Sequence, residues 1–314
     1  MKSFGRALRA GLVSALLAWP RAAEANGPPI HGDTAFVVGI EGAGIRSFYQ
    51  EMHRGRLLQD GKEVADPQDR EMTVRMVPLI LPYEAIPNRL LVVFAAPYLD
   101  KRMESTSGGQ RTAITNRGVG DTTIFGKYQF YQQDRPGGTT RMAGKLGLKL
   151  PTGKDDARDG AGTLLAPSLQ LGSGSWDVSG GVVMTHLYQR WGLNTNLVYA
   201  LNNEARGFEK GDALRYDLSG AFRLLPWVYE EYPSPQLNLI LELNGAAAWK
   251  DRVRGASDPN SGGHTLLLSP GLQFMGGRDW LVDVSYQLPV VQDLNGTQLG
   301  LDYTWTLGFL VYLR

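Results

Sequence analysis

Along most of the chain, apolar and polar residues alternate with a period of two. Between Gln236 and Trp249, Leu237, Leu239, Leu241 and Leu243 share one face, and Gln236, Asn238, Glu242 and Asn244 share the other. The last stretch repeats the pattern, with Leu301, Tyr303, Trp305, Leu307, Phe309, Val311 and Leu313 opposed to Asp302, Thr304, Thr306 and Gly308. Such alternation marks strands with one apolar face, and no segment after the N-terminal leader carries the 3.6-residue stripe of an amphipathic helix. The runs exceed the roughly five or six residues usual in soluble sheets and reach the roughly 9 to 11 that cross a bilayer when tilted. An open sheet in hydrocarbon would leave unpaired backbone groups, each costing several kcal/mol. The pattern therefore predicts an all-β fold, a transmembrane antiparallel up-and-down β-barrel.

The alternation predicts about twelve strands, near 44–58, 70–83, 89–101, 119–132, 140–150, 176–189, 191–203, 212–227, 236–250, 264–276, 279–290 and 299–313. An even number suits a barrel with both ends in the periplasm. The polar stretches 59–69, 102–118, 151–175, 204–211, 251–263 and 291–298 then read as outer loops, and the short connections around 190 and 277 as periplasmic turns. The turn from Tyr229 to Pro235 is long for its side. The first strand has no clear phase, because Phe48 and Tyr49 are adjacent and basic Arg46, Arg54 and Arg56 share one parity. Trp191, Trp227, Trp249 and Trp280 fall near strand ends, where interfacial aromatic girdles form.

Composition removes several alternatives. A formal net charge of +1 over 314 residues gives no basic excess for nucleic-acid binding, and zero cysteines exclude disulfides and thiolate metal sites. At the N-terminus, Lys2, Arg6 and Arg9 precede an apolar stretch from Ala10 to Trp19, and Ala23-Glu24-Ala25 supplies a small-x-small cleavage pattern. Residues 1–25 read as a signal peptide, with a short membrane anchor as the alternative. Residues 26–43, rich in Gly and Pro, read either as a plug tucked into the barrel or as a periplasmic tail; the barrel itself spans 44–314.

Gly118-Val119-Gly120-Asp121, followed by Phe125-Gly126-Lys127-Tyr128, resembles the outer-membrane transporter family named after the meta-pathway of phenol degradation. Leu150-Pro151-Thr152-Gly153, Gly172-Ser173-Gly174-Ser175-Trp176-Asp177 and the turn segment from Pro78 to Pro97 resemble further segments of that family. The resemblance covers most of residues 40–314. It implies a barrel in the outer membrane of a Gram-negative bacterium and uptake of small hydrophobic or aromatic compounds, and it lends no catalytic residues. Separately, Thr306-x-Gly308-x-x-Val311-x-Leu313 resembles the C-terminal signal read by the barrel-assembly machinery. The expected partners are outer-membrane lipid, that machinery and a small-molecule solute, with oligomeric state left open.

Rival chemistry finds little support. The glycine-rich segments lack the strand-to-helix setting and the Lys-Ser/Thr of a phosphate loop. His31, His53, His186 and His264 are scattered without metal-ligand spacing, and Asp155, Asp156 and Asp159 read as a solvated acidic loop beside Lys154 and Arg158. A lipid hydrolase would need a serine and a histidine within reach on a rigid wall. Ser261 and His264 lie in a glycine-rich loop, and Ser179 and His186 fall on opposite parities of one strand. No cofactor, metal or enzymatic activity is expected. What remains is the inward parity, which carries Arg75, Asp121, Lys127, Arg141, Lys145, Lys149, Arg215, Asp217, Arg223, Glu242, Asp283 and Asp302. Charges inside a barrel imply water or mutual pairing. Arg141, Lys145 and Lys149 form a basic ladder suited to carboxylates or phenolates. A channel or transporter for small molecules is the leading expectation, with a closed structural or surface-interaction barrel as the alternative and a lipid hydrolase third.

Overall fold

The computed structural model describes residues 27–37, 43–229, 234–277 and 279–313; the predicted signal peptide lies outside the described residues. The described residues build a closed barrel of twelve antiparallel staves. These are β1 (Ala43–Arg54), β2 (Glu71–Ile86), β3 (Leu90–Ser107), β4 (Gln110–Val119 and, past a break, Thr122–Arg135), β5 (Gly138–Leu150) and β6 (Asp177–Tyr188). They continue with β7 (Trp191–Leu201), β8 (Ala213–Leu225), β9 (Gln236–Ala248), β10 (Gly263–Met275), β11 (Trp280–Leu294) and β12 (Tyr303–Leu313). Each stave pairs with its chain neighbours, and β1 closes the ring on β12 from Ala43 opposite Leu313 to His53 opposite Tyr303. Short turns and the C-terminus gather at one end, here called periplasmic, and the long loops at the other.

The wall is inverted relative to a soluble protein. On β9, Leu239 and Leu241 are exposed while Asn238 and Glu242 are almost fully buried. The same contrast recurs on β12, where Leu307 and Phe309 face out and Thr304 and Thr306 face in. Apolar side chains outside and polar ones inside suit a surface bathed in hydrocarbon around a wet interior. Trp191, Trp227, Trp249 and Trp280 are all exposed near stave ends.

Tertiary pairing settles what alternation left open at β1. Its register sets Arg46, Phe48 and Gln50 inward and Tyr49 and Glu51 outward. Opposite Phe48 stands Gly308, where a Cβ would meet Asp283 Oδ1 at 2.5 Å, so the glycine makes room for a charged pair inside.

Two expectations are corrected. Residues 102–118 are not a loop: β3 and the upper part of β4 continue as a tall hairpin, with Ser107 opposite Gln110. Arg75 is not on the lumen side. It lies on the outward face of β2 with Val77, Leu79 and Leu81, and its Nε donates to Glu51 at 2.7 Å. The staves there rise above the apolar belt, so an outward position meets water and tolerates charge. The outward Arg117–Asp100 pair at 3.2 Å has the same cause. Other loops carry short strands: 204–205, 208–209, 252–253 and 256–257 form one small sheet, and 56–59, 62–64 and 297–300 another.

Candidate functional site

Residues 27–37 run through the barrel interior, bonded to the wall at successive points. Gln273 Nε2 donates to the Pro28 carbonyl at 3.0 Å. The backbone N–H groups of Ile30, His31 and Gly32 converge on the Glu242 carboxylate, with shortest distances of 2.6, 3.2 and 3.0 Å. Asp33 then reaches across to β4 and β5: Lys127 Nζ lies 3.0 Å from Oδ1 and Lys145 Nζ 2.6 Å from Oδ2. Lys127 also donates to the Thr34 carbonyl at 2.6 Å, and the Ala35 N–H donates to Thr185 Oγ1 at 2.8 Å. Apolar contacts fill between these ties. Ile30 packs with Ala221 and Ile240, Ala35 with Ala143 and Val183, and Val37 with Leu91 and Val93, while the Arg141 guanidinium sits 4.2 Å from the centre of the Phe36 ring.

Burial opposes the charge on Asp33, but Lys127 and Lys145 more than offset it and hold the carboxyl well below the usual carboxylate range. His31 is held neutral, its pKa lowered to about 4 by burial first and by Arg46 second.

Beside this segment lies a cavity of about 430 Å³, lined among others by His31, Phe125, Lys145, Asn196, Arg215 and Asp217. That volume falls within the range of roughly 300–1,000 Å³ of small-ligand pockets. The loop after β5 packs on the wall as well, with Ala157, Leu165 and Leu169 against Met72. Lys101 Nζ fastens that loop by donating to the carbonyls of Ser168 at 3.0 Å and Gln170 at 2.5 Å.

The break in β4 is held by segments distant in sequence. Asp121 accepts from the N–H groups of Gly153 and Ser173 at 2.9 and 2.8 Å, and the Thr122 N–H donates to Thr152 Oγ1 at 2.8 Å. Gly153 and Gly172 pack backbone against backbone, since a Cβ on Gly153 would lie 2.9 Å from Gly172 Cα. The glycine-rich segments quoted above thus make one fastener and no phosphate loop.

Of the residues expected inside, Lys127, Arg141, Lys145, Lys149, Arg215, Asp217, Arg223, Glu242 and Asp283 occupy inward positions on the staves. Lys149 pairs with Asp177 and lies 3.5 Å from Asp121. Asp217 accepts from Asn196 and Asn244, each at 2.8 Å. Buried Arg223 stacks 3.9 Å above the Tyr229 ring near the periplasmic end. Asp121 belongs to the fastener at the β4 break, and Asp302 sits before β12 at the extracellular rim, tied to His53 at 3.0 Å and Arg56 at 2.7 Å. Sequence reasoning missed Arg46, which pairs with Asp283 at 2.9 Å, and also missed His31 and Asp33. Asp33 had a signal: it is the one acid within residues 27–37, upstream of staves rich in inward lysines.

The rival sites resolve into structural roles. Ser261 Oγ accepts from the Asp251 N–H and donates to the Asp258 carbonyl, while His264 Nε2 and the Tyr216 hydroxyl lie 2.6 Å apart. His186 bonds Thr140 on the outer face, opposite in parity to Ser179. Asp155 pairs with Arg206 at 2.8 Å, and Asp159 accepts from the Ala161 and Thr163 N–H groups. Among the described residues no cluster of three His, Asp or Glu side chains is arranged to hold a metal.

The family model described as "Putative MetA-pathway of phenol degradation" matches residues 71–304. Among solved structures, an outer membrane channel from Pseudomonas putida F1 is similar with a TM-score of 0.68 at 15% identity, over 91% of this chain and 99% of that one. The β domain of the Bordetella autotransporter BrkA gives a TM-score of 0.46 at 10% identity, over 87% and 99%. A Pseudomonas aeruginosa FadL homologue gives 0.36 at 9% identity, over 87% and 90%. Comparison with curated proteins gave no match.

Proposed function

The chain belongs to the family of that description, and on this premise we propose that this outer-membrane barrel is a channel for small solutes, carrying small hydrophobic or aromatic compounds and their anions. The observation that carries the reading is a polar, charged lumen whose obstruction, residues 27–37, is bonded to the wall without being part of it. Eight staves enclose little more than side chains and sixteen leave an open aqueous channel, so twelve leave a narrow passage that a single segment can block. Lys127, Arg141, Lys145 and Lys149 lie on adjoining staves and Arg215 lines the cavity, which favours anions along that side. Lipid surrounds the apolar belt, and the barrel-assembly machinery reads the end of β12. No covalent chemistry is assigned.

Single-channel recording on the purified, refolded chain tests this directly. Removing residues 26–40 is expected to raise conductance, and an unchanged conductance overturns the plug. Charge reversal at Lys145 and Lys149 is expected to shift ion selectivity toward cations; unchanged selectivity overturns the anion preference. The wall pairs Arg46–Asp283 and Lys149–Asp177 favour a second reading, a closed structural barrel, which would conduct in neither form.

A further inference from the structure

Lys127 and Lys145 differ from the other inward cations in where their counter-charge comes from. Arg46 and Lys149 are answered by acids of the wall strands, Asp283 and Asp177. The ion pairs of Lys127 and Lys145 run only to Asp33 among the described residues, and Asp33 is not on the wall. Taken alone, the wall therefore presents two ammonium groups spaced to grip one carboxylate, and the luminal segment supplies that carboxylate.

The cavity reaches the same point. Lys145 lines it, with its ammonium 4.8 Å from the centre of the Phe125 ring, which also lines it. Lys127 stands behind, almost fully buried. Arg215 and Asp217 also line the cavity. A molecule with an aromatic body and one carboxylate would find an aromatic surface and a cation together.

Resting on the channel reading, we infer that Lys127 and Lys145 form the binding subsite for the carboxylate of an aromatic acid, and that Asp33 is its tethered competitor. Arrival of the solute carboxylate at Lys145 displaces Asp33 and loosens residues 27–37, so the solute helps to clear its own path. A group on a short tether competes at an effective concentration of the order of millimolar. Free solute displaces it only near that concentration, which suits passage better than capture. Apparent affinity scales with the fraction of time the subsite is vacant.

The test is equilibrium binding of benzoate to the refolded full chain by titration calorimetry, with benzyl alcohol as the uncharged counterpart and heat-modifiable gel mobility as the check on barrel folding. Asp33→Asn, with Asp33→Ala as a second variant, is expected to bind benzoate about tenfold more tightly than the unaltered chain, as a subsite occupied nine-tenths of the time requires. Benzyl alcohol binding should not change, and adding Lys145→Gln should abolish the gain. Equal benzoate affinity with and without the Asp33 carboxylate, or a gain that survives Lys145→Gln, overturns the inference. The measurement needs no conductance. A chain that shows the expected binding and never conducts keeps the subsite and loses the channel; one that conducts and binds benzoate indifferently to Asp33 does the reverse.

Discussion

Two sets of charges share the lumen and are held in different ways. In the first, both partners belong to the wall: Arg46 on β1 faces Asp283 on β11 at 2.9 Å, and Lys149 on β5 meets Asp177 on β6. In the second, one partner is a segment threaded through the interior: Glu242 holds three N–H groups of residues 30–32, and Lys127 with Lys145 holds Asp33. The partners of the first set are both fixed to the sheet and stay neighbours for as long as the barrel holds. Opening the second requires only that a short segment leave. On the proposed reading, similar chemistry serves permanence in one place and reversibility in the other, and the difference lies in what each partner is attached to.

The contrast can be broken from either side. Asp283→Asn leaves the half-buried Arg46 without its counter-charge; removing one partner of a fully buried pair costs about 3–5 kcal/mol, an upper bound for this pair. We expect a clear fall in the urea midpoint of the folded band and no change in single-channel gating. Glu242→Gln is the complementary experiment. Hydrogen bonds to charged groups contribute roughly 1.5–3 kcal/mol, so weakening this clasp should raise the open fraction severalfold or more while the urea midpoint stays near that of the unaltered chain.

A smaller effect is expected from pH. In the docked segment the His31 pKa is lowered from 6.5 to about 4, so the released segment binds more protons between those values. Docking should therefore be constant above about pH 6.5 and weaken as pH falls toward about 4, seen as a rising open fraction in bilayers. His31→Gln should remove that contribution; any dependence that persists belongs to other groups. The smallest change is expected on the outer face. Tyr216→Phe removes the half-buried 2.6 Å bond to His264 Nε2, worth about 1 kcal/mol, and should alter neither gating nor solute binding.

Much of this architecture could be read without coordinates, and the failures share a cause. Period-two alternation with apolar runs long enough to cross a bilayer revealed the staves, because lipid imposes one rule on every outward position. The rule lapses where a stave leaves the membrane. Arg75 and the stretch 102–118 were misplaced because the β2–β4 hairpins rise into water, where charge no longer marks the inner face. Arg46 escaped notice because β1 carries aromatic and basic residues on both parities, and only pairing to β12 and β2 chooses between them. The segment carrying Asp33 has no period, so nothing local indicated which lysines it would meet.

Strand number, the outward face, the closed sheet and a lumen of mixed charge are properties of the chain alone, since each follows from residues within a few positions of one another and from the solvent they must satisfy. Which charges answer which is a property of the closed ring. Lys127 and Asp33 lie 94 positions apart, and Arg46 and Asp283 lie 237 apart. Ion pairing depends on distances of a few ångströms that only barrel closure and the course of residues 27–37 through it bring about.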